Sequence, residues 1–519
     1  MLDKIRNLNI SRILLGIFCL LVCVVSFFTL VNYSGRAIVY IIFTIVLNTL
    51  FVCGFTKNKI FLDTFIGIFL WLGFWLKFSV RVGFMGGRFY ECVGSFSGTG
   101  AACDQVLLIT SCGVSALLIA TFIRRKFLFS YTSAIRQTRL EGIFAYYRDH
   151  RKLTLALFIS LVVVVALTNV IFGVYQRGMV PRTILPFGLG GIYTWLLLFG
   201  LTSVSAVILD CEFRMKKDPY LASFIGFLEC FFSNGAMLSR GMILNGGSLT
   251  IGLLDNARKR SINLGLRYQL IILVVFGALF VSSVLAVNYI RSYSIVSSIE
   301  NAAVRHSKAL KSKALDSRAS KSRALDSPEL NVKAAESAEL NSMALKTSVR
   351  TTQPLILDRW VGIEGVMAVS SYPRLGWDLW KTAWQERYSH SGTSMYDLTF
   401  IKSPYLEFDA SEYHFISLPG IVAFFYYPGS YVFLFFSMLL LGLLGAGIEI
   451  ATFRLSGGNI ILCSLIAQVV AYRYASFGYV PYQSYLLFGS IFLNVLIIFF
   501  LDRALLIANR RHHILQIKS

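Results

Sequence analysis

Six stretches of this chain carry no charged side chain over 18 to 23 residues: Ile13 to Val31, Ala37 to Phe55, Val106 to Ile123, Leu153 to Tyr175, Phe187 to Leu209 and Leu270 to Ile290. At 1.5 Å of rise per residue, each carries a helix across the roughly 30 Å hydrocarbon layer of a bilayer. Backbone groups inside that layer must satisfy one another, which helices do within a single segment. The composition agrees: of 519 residues 56% are hydrophobic and only 15% are charged, unlike a water-soluble, disordered, collagenous or disulfide-rich chain. A net charge of +22 would point a soluble protein towards nucleic acid, but basic residues retained on one side of a multi-spanning protein raise the charge without a polyanionic partner. No nucleic-acid partner is therefore expected.

Four further spans are read at Ile60 to Leu76, Tyr431 to Ile448, Asn459 to Phe477 and Tyr482 to Leu501, although Asp63 and Arg473 interrupt two of them. Residues 219–254 are read as a helical hairpin, because Glu229, Asn234, Arg240 and the Asn245-Gly246-Gly247 signal break the apolar run. Crossing twice there places 25 Lys and Arg on the side of both termini, against six (Arg36, Arg81, Arg88, Arg177, Arg182 and Arg240) in the short opposite loops. The positive-inside rule makes the first side cytoplasmic. The first apolar run is too long for a signal-peptide core and is expected to be retained as a helix. The expectation is an all-α polytopic integral membrane protein of about 10–12 transmembrane helices, with one large periplasmic loop forming a cap.

That organisation divides the chain into an N-terminal bundle (1–290), a low-complexity external insert (291–357), an aromatic-rich cap (358–420), and C-terminal helices with a basic tail (421–519). Within the insert, Lys313-Ala-Leu-Asp-Ser317 returns as Arg323-Ala-Leu-Asp-Ser327, the mark of a solvated, weakly structured segment. The cap changes character, with Trp360, Trp377, Trp380 and Trp384 set among acids and arginines. Rings beside polar groups suit a carbohydrate, whose C–H faces stack while its hydroxyls take hydrogen bonds.

Every cation in the short outer loops is arginine, whose planar fork matches phosphate oxygens. Arg473 lies near the outer end of its helix, and Lys77 similarly at the end of another; each is either paired, wet or extended to the headgroups. Asp358 and Glu364 flank Arg359, as general bases or as structural ion-pair partners. His414 stands before the membrane re-entry, where its ring suits a base, a phosphate donor or a helix cap. Cys92 and Cys103 share one outer loop and either pair or stay free. No metal-ligand spacing, P-loop or GxGxxG is present, so neither a metal nor a cofactor is expected.

Three segments, Phe69-Leu-Trp-Leu-Gly-Phe-Trp-Leu-Lys-Phe78, Arg359-Trp-Val-Gly-Ile-Glu-Gly365, and His414 to Gly420 followed by Tyr426-Tyr-Pro-Gly429, together with the architecture, resemble the Wzy-type O-antigen polymerases, repeat-unit polymerases of the bacterial inner membrane. The resemblance spans most of the chain loosely, and the repetitive insert falls outside it. It implies a metal-independent glycosyltransferase that moves a growing glycan from undecaprenyl pyrophosphate onto a hydroxyl of a fresh lipid-linked repeat unit at the periplasmic face. It also implies cooperation with a chain-length regulator. On this resemblance Arg359 and Arg473 would hold the pyrophosphate, with Arg81 and Arg182 as supporting cations. Glu364 or His414 would act as base, and Trp360, Trp377 and Trp380 would contact glycan. An O-antigen ligase shares the donor and the large loop, and a lipid-linked glycan flippase shares the membrane setting, although no duplicated halves are visible.

Overall fold

A computed structural model describes residues 2–56, 59–128, 131, 140–215, 220–260, 264–265, 267–291, 357–388, 393–403 and 416–518. The repetitive segment 307–346 and His414 lie outside the described residues. In chain order the helices are α1 (Leu2–Asn32), α2 (Ala37–Cys53), α3 (Phe61–Phe84), α4 (Gly100–Phe127), α5 (Glu141–Asp149), α6 (Arg151–Phe172), α7 (Pro186–Arg214) and α8 (Tyr220–Ala236). They continue as α9 (Met242–Lys259), α10 (Arg267–Arg291), α11 (Ile363–Ser370), α12 (Trp377–Trp384), α13 (Ile421–Phe425), α14 (Tyr431–Leu455), α15 (Ile460–Ala475) and α16 (Ser484–Lys518). Eight of them, α1, α3, α4, α6, α7, α10, α14 and α16, are long and apolar enough to cross a membrane, and α2 and α15 are shorter apolar helices. The chain is thus all-helical among the described residues and has the make-up of a multi-pass membrane protein.

The apolar runs become helices with apolar outer faces because lipid, unlike water, does not penalise them. Leu20, Phe27 and Val31 of α1 and Leu273 and Val274 of α10 are exposed. The centre is built on α3 and α15, which pack on each other, with α9 and α14 against α15. Small residues let these backbones approach: a side chain at Gly252 of α9 would meet Ile461 of α15, and there Ser464 Oγ donates to Ser248 O at 2.7 Å.

Charges inside the bundle are paired, as desolvation demands. Arg124 pairs with Asp63 at 2.5 Å, Arg151 with Glu212 at 2.6 Å, and Arg260 with Asp210 at 2.7 Å. Glu449 accepts the Phe61 and Leu62 N–H groups at 2.8 Å each, capping the otherwise unsatisfied start of α3. All of these lie at the end of the bundle away from residues 358–420.

One local outcome differs from expectation, and one open alternative is decided. The third span does not stop at Leu76: after a π-helical turn over Trp71–Leu76 it continues through Lys77 and Arg81 to Phe84. Lys77 consequently does not extend to the headgroups but is buried at 1% exposure. Cys92 and Cys103 are both free thiols.

A candidate anion site lined by arginines

The site begins with one face of α3 on which Gly73, Lys77 and Arg81 follow one another on successive turns. A side chain at Gly73 would collide with the Val361 carbonyl, and one at Gly362 with the Gly73 carbonyl, so two backbones touch where both residues lack a Cβ. One turn on, Lys77 Nζ donates to the Trp360 and Asp358 carbonyls at 2.5 and 3.1 Å and pairs with Glu364 at 3.0 Å. One turn further, Arg81 grips the Asp358 carboxylate with Nε at 3.2 Å and with Nη2. Residues Asp358 to Gly365 are thereby clamped to α3 across nearly 280 positions of sequence. A third strip completes the junction, since a side chain at Gly365 would strike the Pro419 carbonyl, and Gly420, at φ 82°, donates its N–H to Phe477 O at 2.9 Å. Parts of all three segments, around Gly73 and Lys77, at 359–365 and at Pro419 and Gly420, therefore meet at one place.

The clamp decides what the acids do. Glu364 is not placed as a free base: it is buried and holds Lys77, with burial pushing its carboxyl up and Lys77 opposing. Nor do the two carboxylates serve Arg359, because Arg81 and Lys77 take them from the other side. Arg81 is correspondingly a partner of Asp358, not an available phosphate cation. Arg359 is left projecting from the clamped segment, with open surface although protein surrounds it on most sides, as a group in a cleft does. Burial and the charge of Arg177 lower its proton affinity, and Tyr472 opposes them.

Further arginines converge on the same cleft. The Arg177 N–H donates to Met237 O at 2.8 Å, pinning the 173–186 connection to the turn between α8 and α9. The Arg177 carbonyl accepts from Arg291 at 2.6 Å at the end of α10. Arg240, in the α8–α9 turn, and Arg359 lie within electrostatic reach of Arg291. Arg473, at the end of α15, donates to Tyr479 O at 3.3 Å and Ser484 Oγ at 2.8 Å, with its guanidinium 5.3 Å from the Phe477 ring. Among the described residues no carboxylate lies within ion-pair distance of Arg177, Arg291, Arg359 or Arg473.

Arg177 and Arg473 line a cavity of about 660 Å³ between α7, the α8–α9 hairpin, α15 and α16, with Tyr175, Tyr388, Tyr472 and Gln468 among its walls. Gln468 Oε1 is buried without a hydrogen-bond partner among the described residues. The cap closes over it, because Glu386 ties Met395 N (2.5 Å) and Val480 N (3.4 Å) together, and the Tyr388 ring faces Tyr479 at 6.5 Å. A second, smaller cavity of about 150 Å³ is lined in part by Arg359.

The remaining expected site residues fall elsewhere. Arg182 is exposed beside Gly173 and does not line either cavity. Of the tryptophans, Trp380 stacks on Trp384 at 5.4 Å and meets Phe433 at 5.2 Å, while Trp360 stacks on Phe69 at 5.9 Å and also lines the smaller cavity. Only Trp377, at 50% exposure, keeps a large open face, and it is outside both cavities. In the sequence Arg177 and Arg240 are legible only through the arginine bias of the short outer loops, and Arg291 only as the boundary of the large external stretch. No family model, curated protein or solved structure matches this chain.

Proposed function

We propose that the chain is a glycosyltransferase that polymerises undecaprenyl-pyrophosphate-linked oligosaccharide repeat units into O-antigen or a similar surface polysaccharide, working at the periplasmic face of the bacterial inner membrane. One observation carries this reading: guanidinium groups without carboxylate partners gather around a tyrosine- and amide-walled cavity at one end of an apolar bundle. Like charges held together in a poorly solvated place are costly unless an anion joins them. A lipid-linked pyrophosphate supplies that anion with its tail in the bilayer, and hydroxyl and amide groups suit the attached sugars.

In the reaction an acceptor hydroxyl attacks the anomeric carbon, and the bond to the pyrophosphate oxygen breaks with its electron pair. Arg177, Arg359 and Arg473 face the charge that develops on the leaving group, which is where preorganised donors accelerate a reaction most. Lys77, Arg81, Asp358 and Glu364 hold Arg359 in place. No metal or cofactor is required by this scheme, and a chain-length regulator is a further proposed partner.

The test is the surface-glycan ladder of a host deleted for this gene. Core bearing a single repeat unit, restored to a ladder by the native chain but not by well-expressed Arg177→Ala or Arg359→Ala, is the expected result. Each variant should lose transfer by about 10²- to 10³-fold. Loss of every capped form in the deletion would replace this reading with the ligase or flippase, and an unchanged ladder would overturn all three.

A further inference from the structure

The smaller cavity is lined by Lys77, Glu91, Asp358, Arg359, Glu364 and Tyr396, among others. Its acids are not equivalent. Glu364 is held by Lys77 and Asp358 by Arg81, and nearby Asp397 accepts Ser394 Oγ at 2.6 Å and the Ser417 N–H at 3.2 Å. Glu91 alone of the lining carboxylates has neither an ion pair nor a hydrogen bond among the described residues, and it is half-buried, open to the cavity. Ser417 Oγ, on the same wall, is buried with no partner among the described residues. A pocket that presents one unengaged carboxylate and one unengaged hydroxyl beside the Arg359 guanidinium fits a polyol.

We propose that this second cavity is the acceptor subsite, that it takes the terminal sugar of the incoming glycan, and that Glu91 receives the proton of the attacking hydroxyl. This rests on the polymerase reading above. The acceptor oxygen forms its bond to the anomeric carbon as the bond to pyrophosphate breaks, the electron pair leaves with the pyrophosphate, and the hydroxyl proton passes to the Glu91 carboxylate and then to water. Arg359 lines this cavity and lies within electrostatic reach of Arg177 and Tyr472 of the larger one, which brings acceptor and donor subsites together. Burial raises the proton affinity of Glu91, Lys77 lowers it, and Asp358 and Asp397 raise it. A carboxyl moved up from its ordinary range is a stronger base. The other groups facing it are Cys92, Arg359, Glu364 and Tyr396.

The experiment uses the full chain in lipid nanodiscs with a lipid-pyrophosphate-linked repeat unit as both donor and acceptor. It measures glycan transfer across the acid-to-neutral range and, separately, binding of undecaprenyl pyrophosphate. Glu91→Gln is expected to bind the pyrophosphate as the native chain does and to lose transfer by about 10²- to 10⁴-fold. Native transfer falls as acid protonates Glu91, Glu91→Asp shifts that fall, and the residual rate of Glu91→Gln lacks it; a merely structural role moves none of these. Should Glu91→Gln fold poorly, Glu91→Asp carries the test through its shifted pH profile. Transfer by folded Glu91→Gln within about twofold of native, or an unshifted profile in Glu91→Asp, overturns the assignment of Glu91 alone. Failure of the native chain to bind the pyrophosphate or to transfer overturns the polymerase reading, and this one with it.

Discussion

Lys77 shows how one residue's role depends on a partner far away in sequence. Alone near a helix end, an ammonium reaches for water, but here two carbonyls and Glu364 surround it at 3.1 Å or less. Removing one partner of such a buried pair strands the other charge, at about 3–5 kcal/mol, whereas removing both spares that cost. Lys77→Met and Glu364→Leu should each lower the thermal midpoint in detergent markedly, and the double variant should recover part of the loss. A double variant as unstable as the sum of the singles would show that the two charges do not act as a pair. The same logic applies to Asp63 and Arg124, where Thr121 Oγ1 adds a third bond to Asp63 at 3.1 Å.

At the scale of elements, the site depends on close backbone approach more than on side-chain chemistry. The π-helical turn of α3 brings Gly73 against Gly362, and the 359–365 segment in turn lies on Pro419 through Gly365. A methyl group at either cap glycine has a carbonyl in its way, so Gly362→Ala and Gly365→Ala should cost about 1–3 kcal/mol by overpacking. They should also displace Arg359, and binding of undecaprenyl pyrophosphate should fall by more than the loss of folded protein explains. Gly277→Ala on α10, where nothing lies within 4 Å, is the control and should leave both unchanged. Equal behaviour of all three variants would mean that the junction does not position the arginine. Glycine composition alone does not reveal such a junction, because the colliding carbonyls belong to other segments.

The molecule as a whole sorts its charges by end. Asp149, Arg148 and the Asp210 and Glu212 pairs lie at one end, while Glu91, the cap and the arginine-lined cavity lie at the other. Single cysteines introduced at Lys381 and at Arg148, in a chain freed of its own thiols, should differ in intact cells. A membrane-impermeant thiol reagent should label the Lys381→Cys protein and reach Arg148→Cys only after the membrane is opened. The reverse pattern would turn the protein over and remove the periplasmic site.

Membrane class and helical content were determined by the sequence itself, because uncharged runs near 20 residues have few other outcomes in lipid. The arginine bias of the outer loops likewise marked the chemistry of the site, and Arg359 and Arg473 were visible as candidates. Tertiary structure alone decided which cations remained available. Arg81 and Lys77 are engaged by Asp358 and Glu364, Arg182 lies outside the cavities, and Arg177, in the 173–186 connection, meets Arg291 at the end of α10. It also turned Trp380 into packing, set Trp360 in the wall of the smaller cavity, and left Glu91 unengaged among acids there that are all occupied. The physical reason is common to these cases. A helix run is written in neighbouring residues, but whether a charge is free or neutralised depends on partners that spacing does not encode, here some 270 to 290 positions away.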